Sequence, residues 1–466
     1  MSAHASGHGN SKFSLTEGSI MKALLVVALP IILSNLLQNV LELVDIYFIG
    51  HLGEDAAAAG TTSASVIMLL LVLILGVNTA TAAFISRAHG SGKVDRIPVI
   101  LGHALYLTMA ISIIIAIVGI FFTENIFQLF GADPGVTEQG VQFLQPVLIG
   151  IFIMVLLMVL TTVFQSTGDS KTPMIVMIIV NLVNIGLNPS LINGFGFFPA
   201  LGIAGSAYAS LISRALGVIL LILAMYLLPS KKNSPIKFPK KWTFEPRLLR
   251  DLALIGLPSA VQSGLRSFAF VGMTFIVTMF GGSAAMAAYG LCGRLDMMGF
   301  ILVMGLCVGV AVMVGQNLGA DKPERAMKAA KYAIIINAGF MLAMGAFYFF
   351  LGSPLLEIFG ASDEWLALGQ QYMHIVPWSY FVAAIGMTMG FAMNGAGATR
   401  PGMYGALIGQ IGIQVGGSIL CMTVLGIQNV AIIWFCIFLS AFFTTGVNAI
   451  FFFRGKWMKT KLHIET

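Results

Sequence analysis

Charge is the scarcest property of this chain. Of its 466 residues, 9% are Asp, Glu, Lys or Arg, while 58% are apolar. A soluble domain covers its surface with about 25% charged residues, so the reading that length alone suggests, several soluble domains, is excluded. The period-two alternation of membrane barrel strands is missing too. There is no GxxxxGK[ST] stretch, no HExxH, no G-x-S-x-G and no paired Cys–His cluster. ATP is therefore not expected as an energy source, and an intramembrane enzyme is not expected either. Cysteine is sparse: Cys292, Cys307, Cys421 and Cys436 all fall in apolar runs without ligand spacing, which reads as packing. The first twenty residues lack an apolar core of the signal-peptide kind. They read as a flexible cytoplasmic tail.

What the chain does have is long apolar runs between short polar connections, the pattern of an all-α integral membrane protein. Twelve spans are expected, at 22–48, 60–85, 97–122, 142–166, 173–194, 203–228, 249–280, 289–315, 329–352, 371–395, 402–425 and 428–453. Lys and Arg fix their orientation. Of 25 basic residues, 22 lie in the tails or after even-numbered spans; the other three, Arg214, Arg266 and Arg294, lie within spans. Connections after odd-numbered spans carry acids such as Glu54, Asp55, Glu124, Asp133, Glu357 and Asp363. By the positive-inside rule both termini face the cytoplasm of a plasma (inner) membrane. The net charge of +6 is thus a topology signal, and no nucleic-acid partner is expected.

The chain also repeats itself. At an offset of 229, Gly76 matches Gly305, Gly90 matches Gly319, Lys93 matches Lys322, Phe130-Gly131-Ala132 matches Phe359-Gly360-Ala361, and Gly168 matches Gly397. The offset is 228 at Leu29-Pro30 and Leu257-Pro258, and 224 at Leu201-Gly202-Ile203 and Leu425-Gly426-Ile427. Six spans per half is an even number, so the halves share one orientation and are related by a pseudo-twofold axis along the membrane normal. The expected organisation is a tail (1–20), a first lobe (21–228), a Pro- and Lys-rich linker (229–248), a second lobe (249–453) and a C-terminal tail (454–466). Two lobes around a cleft suit alternating access.

Carboxylates inside such runs need a reason, because charge is expensive in a low-dielectric span and marks function by default. Asp45 lies in "NVLELVDIYFIGHLG", three residues after Glu42. Glu42 either lines the cleft, near Gln38, or faces water. Asn181, Asn184 and Asn188 are spaced three then four, so they share one helix face. Their carbonyls can coordinate a cation and their NH₂ groups can hydrogen-bond a carboxyl; the alternative is interhelical glue. Pro189 ends that face and is a candidate hinge. In the second lobe Gln410 and Ile413 stand where Asn181 and Asn184 would be. Asp296 is its one deep acid, with Arg266 and Arg294 as open partners. Met273, Phe275, Met297, Met298 and Phe300 suit a promiscuous apolar wall or plain packing. His103 and His374 are isolated and read as structural.

From about residue 15 to 455 the sequence resembles the multidrug and toxic compound extrusion (MATE) family of secondary transporters. The resemblance rests on "LPIILSNLLQNVLELVDIYFIGHLG" and on "AHGSGK" and "GQNLGADK" after the second span of each lobe. "FQSTGDSKTPM" and "NLVNIGLNP" at the fifth span add to it. It implies export of drugs and other, often cationic, organic compounds in exchange for H⁺ or Na⁺, by a functional monomer without organic cofactor. It implies Asp45 as the coupling carboxylate and Ser210 as the hydroxyl that completes the cluster. The DinF-like branch, the closest in pattern, carries an acid where Asn188 stands here, which leaves Asp45 as the principal titratable group of the first lobe. Members resembling NorM use second-lobe acids, but Arg266 occupies the best-aligned position. H⁺ is the expected coupling ion; Na⁺ at Asp45, Asn184 and Asn188 stays open. A flippase for a lipid-linked saccharide and a non-transporting receptor or channel are the other readings.

Overall fold

The computed structural model describes residues 15–129, 131–195, 198–227, 238–239, 243–358, 363–427 and 429–462. In the first half the helices are α1 (Ile20–Gly50), α2 (Glu54–Leu70), α3 (Val72–Gly90), α4 (Ile97–Leu129), α5 (Pro134–Ile149), α6 (Ile151–Ser166), α7 (Lys171–Asn193) and α8 (Ile203–Leu227). The second half holds α9 (Pro246–Gly319), α10 (Pro323–Ile358), α11 (Asp363–Ile375), α12 (Tyr380–Gly395), α13 (Arg400–Gly405) and α14 (Ala431–Phe453); α13 runs on as a π-helix over Ala406–Gly417.

Among the described residues, nine helices are long and apolar enough to cross a bilayer, and two bent pairs bring the number to 11. The 74 residues of α9 would extend about 110 Å at roughly 1.5 Å per residue, against a hydrocarbon core of about 30 Å. It therefore holds two spans, which makes twelve. Gly282, at φ 68° and ψ −166°, breaks it. The expected loop between the seventh and eighth spans shrinks to that one glycine, because Ser283 to Tyr289 are residues a helix accepts. The second span bends by 47° between α2 and α3, and the fourth by 51° between α5 and α6. At the fourth, Pro146 gives no N–H and Gly150 caps α5.

Each lobe has its own buried core. Phe84, Phe127, Leu144, Leu160 and Val163 belong to that of the first, and Met341, Tyr348, Tyr372 and Trp434 to that of the second. A third cluster crosses between the lobes. Leu15, Leu24, Val27 and Ala28 pack there with Val310, Met313, Phe452 and Trp457. The lobes meet through small residues, as apolar helices must when only close packing draws them together. A Cβ on Gly256 would lie 3.0 Å from the Gly76 carbonyl oxygen. One on Gly90 would collide with the Gln316 backbone, and one on Gly319 with that of Arg87. Hydrogen bonds join the lobes at the same end: Gln316 Nε2 donates to the Ser166 carbonyl at 2.8 Å, and Ser259 Oγ to Thr79 Oγ1 at 3.1 Å. The end of the bundle that carries the basic connections is closed.

The tail expected to be flexible is fixed from Leu15 onward, because Leu15 is buried and its carbonyl accepts from Asn317 Nδ2 at 3.3 Å. Residues 1–14 and most of the 229–248 linker lie outside the described residues. The C-terminal segment crosses back: Arg87 donates to the Thr460 carbonyl, and Leu462 packs on Gly397.

Candidate functional site

The first-lobe site is built from three helices. Asp45 stands on α1, Asn184 and Asn188 on α7, and Ser210 on α8. Gly205 lets α8 approach α7 where a Cβ would meet the Leu191 backbone, and this close approach brings Ser210 within reach. Asn188 Nδ2 donates to Asp45 Oδ1 at 2.7 Å, and Asn184 Nδ2 to the same oxygen at 3.3 Å. Ser210 Oγ donates to Asp45 Oδ2 at 2.6 Å. The donors also brace one another: Asn184 Nδ2 reaches Ser210 Oγ at 3.1 Å, and Asn188 Nδ2 reaches Asn184 Oδ1 at 3.0 Å. Asn184 and Asn188 are fully buried and Ser210 nearly so, while Asp45 is half-buried. Asn188 Oδ1 is buried and has no hydrogen-bond partner among the described residues.

Asn184, Asn188 and Ser210 each aim a donor at the carboxylate, the arrangement that solvates an anion in place of water. Asn181 stands apart. Its Nδ2 donates to Met177 O of its own helix at 2.8 Å, and among the described residues no hydrogen bond connects it to Asp45. A three-residue step leaves it about one turn from Asn184 along α7, out of reach of a group held by Asn188. Pro189 has no N–H for the turn before it, yet α7 is unbroken there and runs to Asn193. Glu42 is exposed, accepts from Gln38 Nε2 at 3.4 Å and lies within electrostatic reach of Arg214 and Asp45.

The second lobe is different chemistry. Met273, at the repeat position of Asp45 (offset 228), is fully buried in the lobe core, so it packs and does not line an open cleft. Trp434, at the repeat position of Ser210 (offset 224), is fully buried too. Asp296 pairs with neither candidate arginine. It accepts from Tyr372 at 2.6 Å and from Tyr380, and the two tyrosines belong to a cluster with Tyr289, Tyr348 and Trp434. Sequence reading missed both tyrosines, which lie 76 and 84 residues further along the chain. Arg266 is half-buried and has no hydrogen-bond partner among the described residues; the buried Cys307 lies within its electrostatic reach. Met297 is 59% exposed and Arg294 is exposed. Among the described residues no group of His, Cys, Asp and Glu has metal-holding geometry.

Twelve spans in two repeated halves, with a hydrogen-bonded carboxylate inside one of them, are the architecture of a membrane transporter. The MatE family pattern matches the chain twice, at residues 30–190 and 258–420, and the two matches begin at the offset of the repeat. The chain belongs to this family of membrane multidrug efflux transporters. It is 28% identical over 389 residues to a probable multidrug resistance protein, YoeA, of Bacillus subtilis, covering 82% of each chain. It is 29% identical over 394 residues to an FAD transporter of Shewanella oneidensis, covering 82% of this chain and 84% of that one. The fold matches that of a MOP superfamily transporter from Pyrococcus furiosus with a TM-score of 0.85, at 22% identity over 96% of this chain and 98% of that one.

Asn188 is the most sensitive of Asp45's partners to replace. Asn188→Leu removes the 2.7 Å donor and leaves a carboxylate short of solvation at a cost of about 2–3 kcal/mol. The expected result is a melting temperature lower by several degrees in detergent and transport reduced about tenfold or more. Ser210→Ala should do less, because a water can replace a hydroxyl at a half-buried oxygen. Equal melting temperatures for Asn188→Leu and its parent would show that the amide does not support Asp45.

Proposed function

We propose that this protein exports amphiphilic organic compounds, cationic ones among them, in exchange for inward protons, by alternating access, with Asp45 as the coupling carboxylate. The observation that carries the reading is the Asn184–Asn188–Ser210 cage. It gives a carboxylate a home inside a membrane span and needs only a hydroxyl rotation at Ser210 to receive a proton. A proton and a cationic substrate then compete for one charge, and each favours the state of the transporter that binds it better. The basic end is cytoplasmic, the membrane is the plasma (inner) membrane, and the transporter acts as a monomer without organic cofactor.

The test is accumulation of a fluorescent organic cation by vesicles of known orientation carrying the protein, against vesicles without it. Accumulation driven by an imposed gradient is expected, and equal signals from both preparations would end the exporter reading. A second reading is favoured by Arg266, a span cation without a hydrogen-bond partner among the described residues, together with the likeness to an FAD transporter. A substrate bearing an anionic group would suit it. FAD offered to the same vesicles separates the two substrate classes.

A further inference from the structure

The repeat that builds the lobes also builds two clasps at the basic end, and each joins one lobe to the other. In the first, Arg96, in the turn after α3, donates through Nη1 and Nη2 to Oε1 and Oε2 of Glu245 at 2.9 and 2.7 Å. Glu245 is the residue immediately before α9, the first helix of the second lobe. Its backbone N–H donates to Nε2 of the buried His103 at 2.8 Å, and Nδ1 of His103 holds the Val99 carbonyl at 2.8 Å. His103 thus ties Glu245 to α4 through both of its ring nitrogens. Glu245 lies outside the spans, and the Arg96 hydrogen bonds hold its carboxyl below the usual glutamate range.

In the second clasp, Arg325 stands at the repeat position of Arg96 (offset 229), in the first turn of α10. Its Nη1 donates to the Gly18 carbonyl at 2.8 Å and its Nη2 to the Glu17 carbonyl at 2.8 Å. Glu17 precedes α1 as Glu245 precedes α9, at an offset of 228. Lys322 Nζ donates to the Thr16 carbonyl at 3.1 Å and sits 3.9 Å from the Glu17 carboxylate. Nε of Arg96 and Nε of Arg325 are each buried and have no hydrogen-bond partner among the described residues, so both guanidiniums engage through their outer nitrogens.

Each clasp bridges the boundary between lobes, beside the buried residues Leu248 and Leu252 in the first case and Leu15 and Ala326 in the second. The second holds the entry of α1, the same continuous helix that carries Asp45 about 40 Å further along at roughly 1.5 Å per residue. Parting the lobes at the basic end must break both clasps together. Their chemistry differs: the first is an ion pair, with side chains 21% exposed on each side, and the second is mainly an arginine on backbone carbonyls.

We propose that the Arg96–Glu245 and Arg325–Gly18/Glu17 contacts are paired latches that hold the basic end closed, and that their release is a step of the transport cycle. The proposal rests on the alternating-access reading above, but its test needs neither substrate nor gradient. Ser86 reports the closed state, being 1% exposed and packed on Gly315 across the boundary. Thr123, 1% exposed on α4, is the control. The four native cysteines are replaced, Ser86→Cys or Thr123→Cys is introduced, and the rate of maleimide labelling is measured on monodisperse, reconstituted protein.

Arg96→Gln and Arg325→Gln should each speed labelling of the Ser86→Cys variant about three- to fivefold, the scale of a partly exposed pair. The Thr123→Cys variant should not change. The exchange Arg96→Glu with Glu245→Arg should bring the rate back toward that of the parent. An unchanged rate in either single variant, an equal rise at Thr123→Cys, or an exchange that labels as fast as Arg96→Gln would overturn the proposal. Vesicles that fail to transport while labelling follows the expected pattern would instead remove the substrate reading and leave the latches standing.

Discussion

Asp45→Asn should abolish gradient-driven export, to less than about a tenth of the parent rate, while protein level and melting temperature stay near those of the parent. Structural tolerance follows from the hydrogen bonds. The asparagine oxygen can take the place of Oδ1 and accept from Asn188 and Asn184, which now reach that atom at 2.7 and 3.3 Å. Its NH₂ then faces Ser210 Oγ, now 2.6 Å from Oδ2, and a hydroxyl turns to accept as readily as it donates. Shape and bonding survive; the charge and its capacity to take up a proton do not. The measurement is efflux of a fluorescent cation from cells with matched amounts of each protein. Wild-type efflux in Asp45→Asn would remove this carboxylate from the mechanism, and lost efflux with a collapsed melting temperature would make it structural only.

The sequence reached this carboxylate and its companions through two kinds of signal. A span acid is visible because its neighbours are apolar, and Asn184 and Asn188 are visible because a four-residue step keeps a helix face. Asn181 satisfies the same spacing rule yet turns its amide to its own helix at Met177. Spacing assigns a face; it does not set the depth of the partner helix. The second lobe was less legible for the same reason. Nothing in the order of residues places Tyr372 and Tyr380 against Asp296, since that depends on how α11 and α12 slide along α9. The bends at Leu71 and Gly150 were equally hidden, because hydropathy measures how apolar a segment is and not its direction. The clasps, too, leave a trace in the sequence. The offsets that pair Lys93 with Lys322 and Leu29 with Leu257 also pair Arg96 with Arg325 and Glu17 with Glu245, but only folding shows that each arginine engages the other lobe.

In the proposed cycle the same donor geometry favours the proton as the driving ion. A cation beside Asp45 would meet the amide hydrogens of Asn184 and Asn188 and the hydroxyl hydrogen of Ser210, all aimed at the carboxylate. To coordinate Na⁺, both amides must rotate to present oxygen, and Asn184 Oδ1 must give up the hydrogen bond it accepts from Asn188 at 3.0 Å. Asn188 Oδ1 accepts no hydrogen bond among the described residues, but turning it toward an ion takes Nδ2 away from Asp45 at 2.7 Å and from Asn184 at 3.0 Å. A proton asks for less. Once it sits on Oδ2, the carboxyl donates to Ser210 Oγ while both amides continue to donate to Oδ1, so one hydroxyl rotation completes the change. The neutral site no longer attracts a cationic substrate, and that difference in affinity is what can bias the two-state cycle. Proteoliposomes with an imposed pH gradient and no Na⁺ should therefore transport a fluorescent cation at nearly the full rate, and a Na⁺ gradient at uniform pH should leave the rate within about twofold of background. Transport driven by Na⁺ and not by pH would show that the amides do turn, and would reassign Asn184 and Asn188 from proton-site donors to ion ligands.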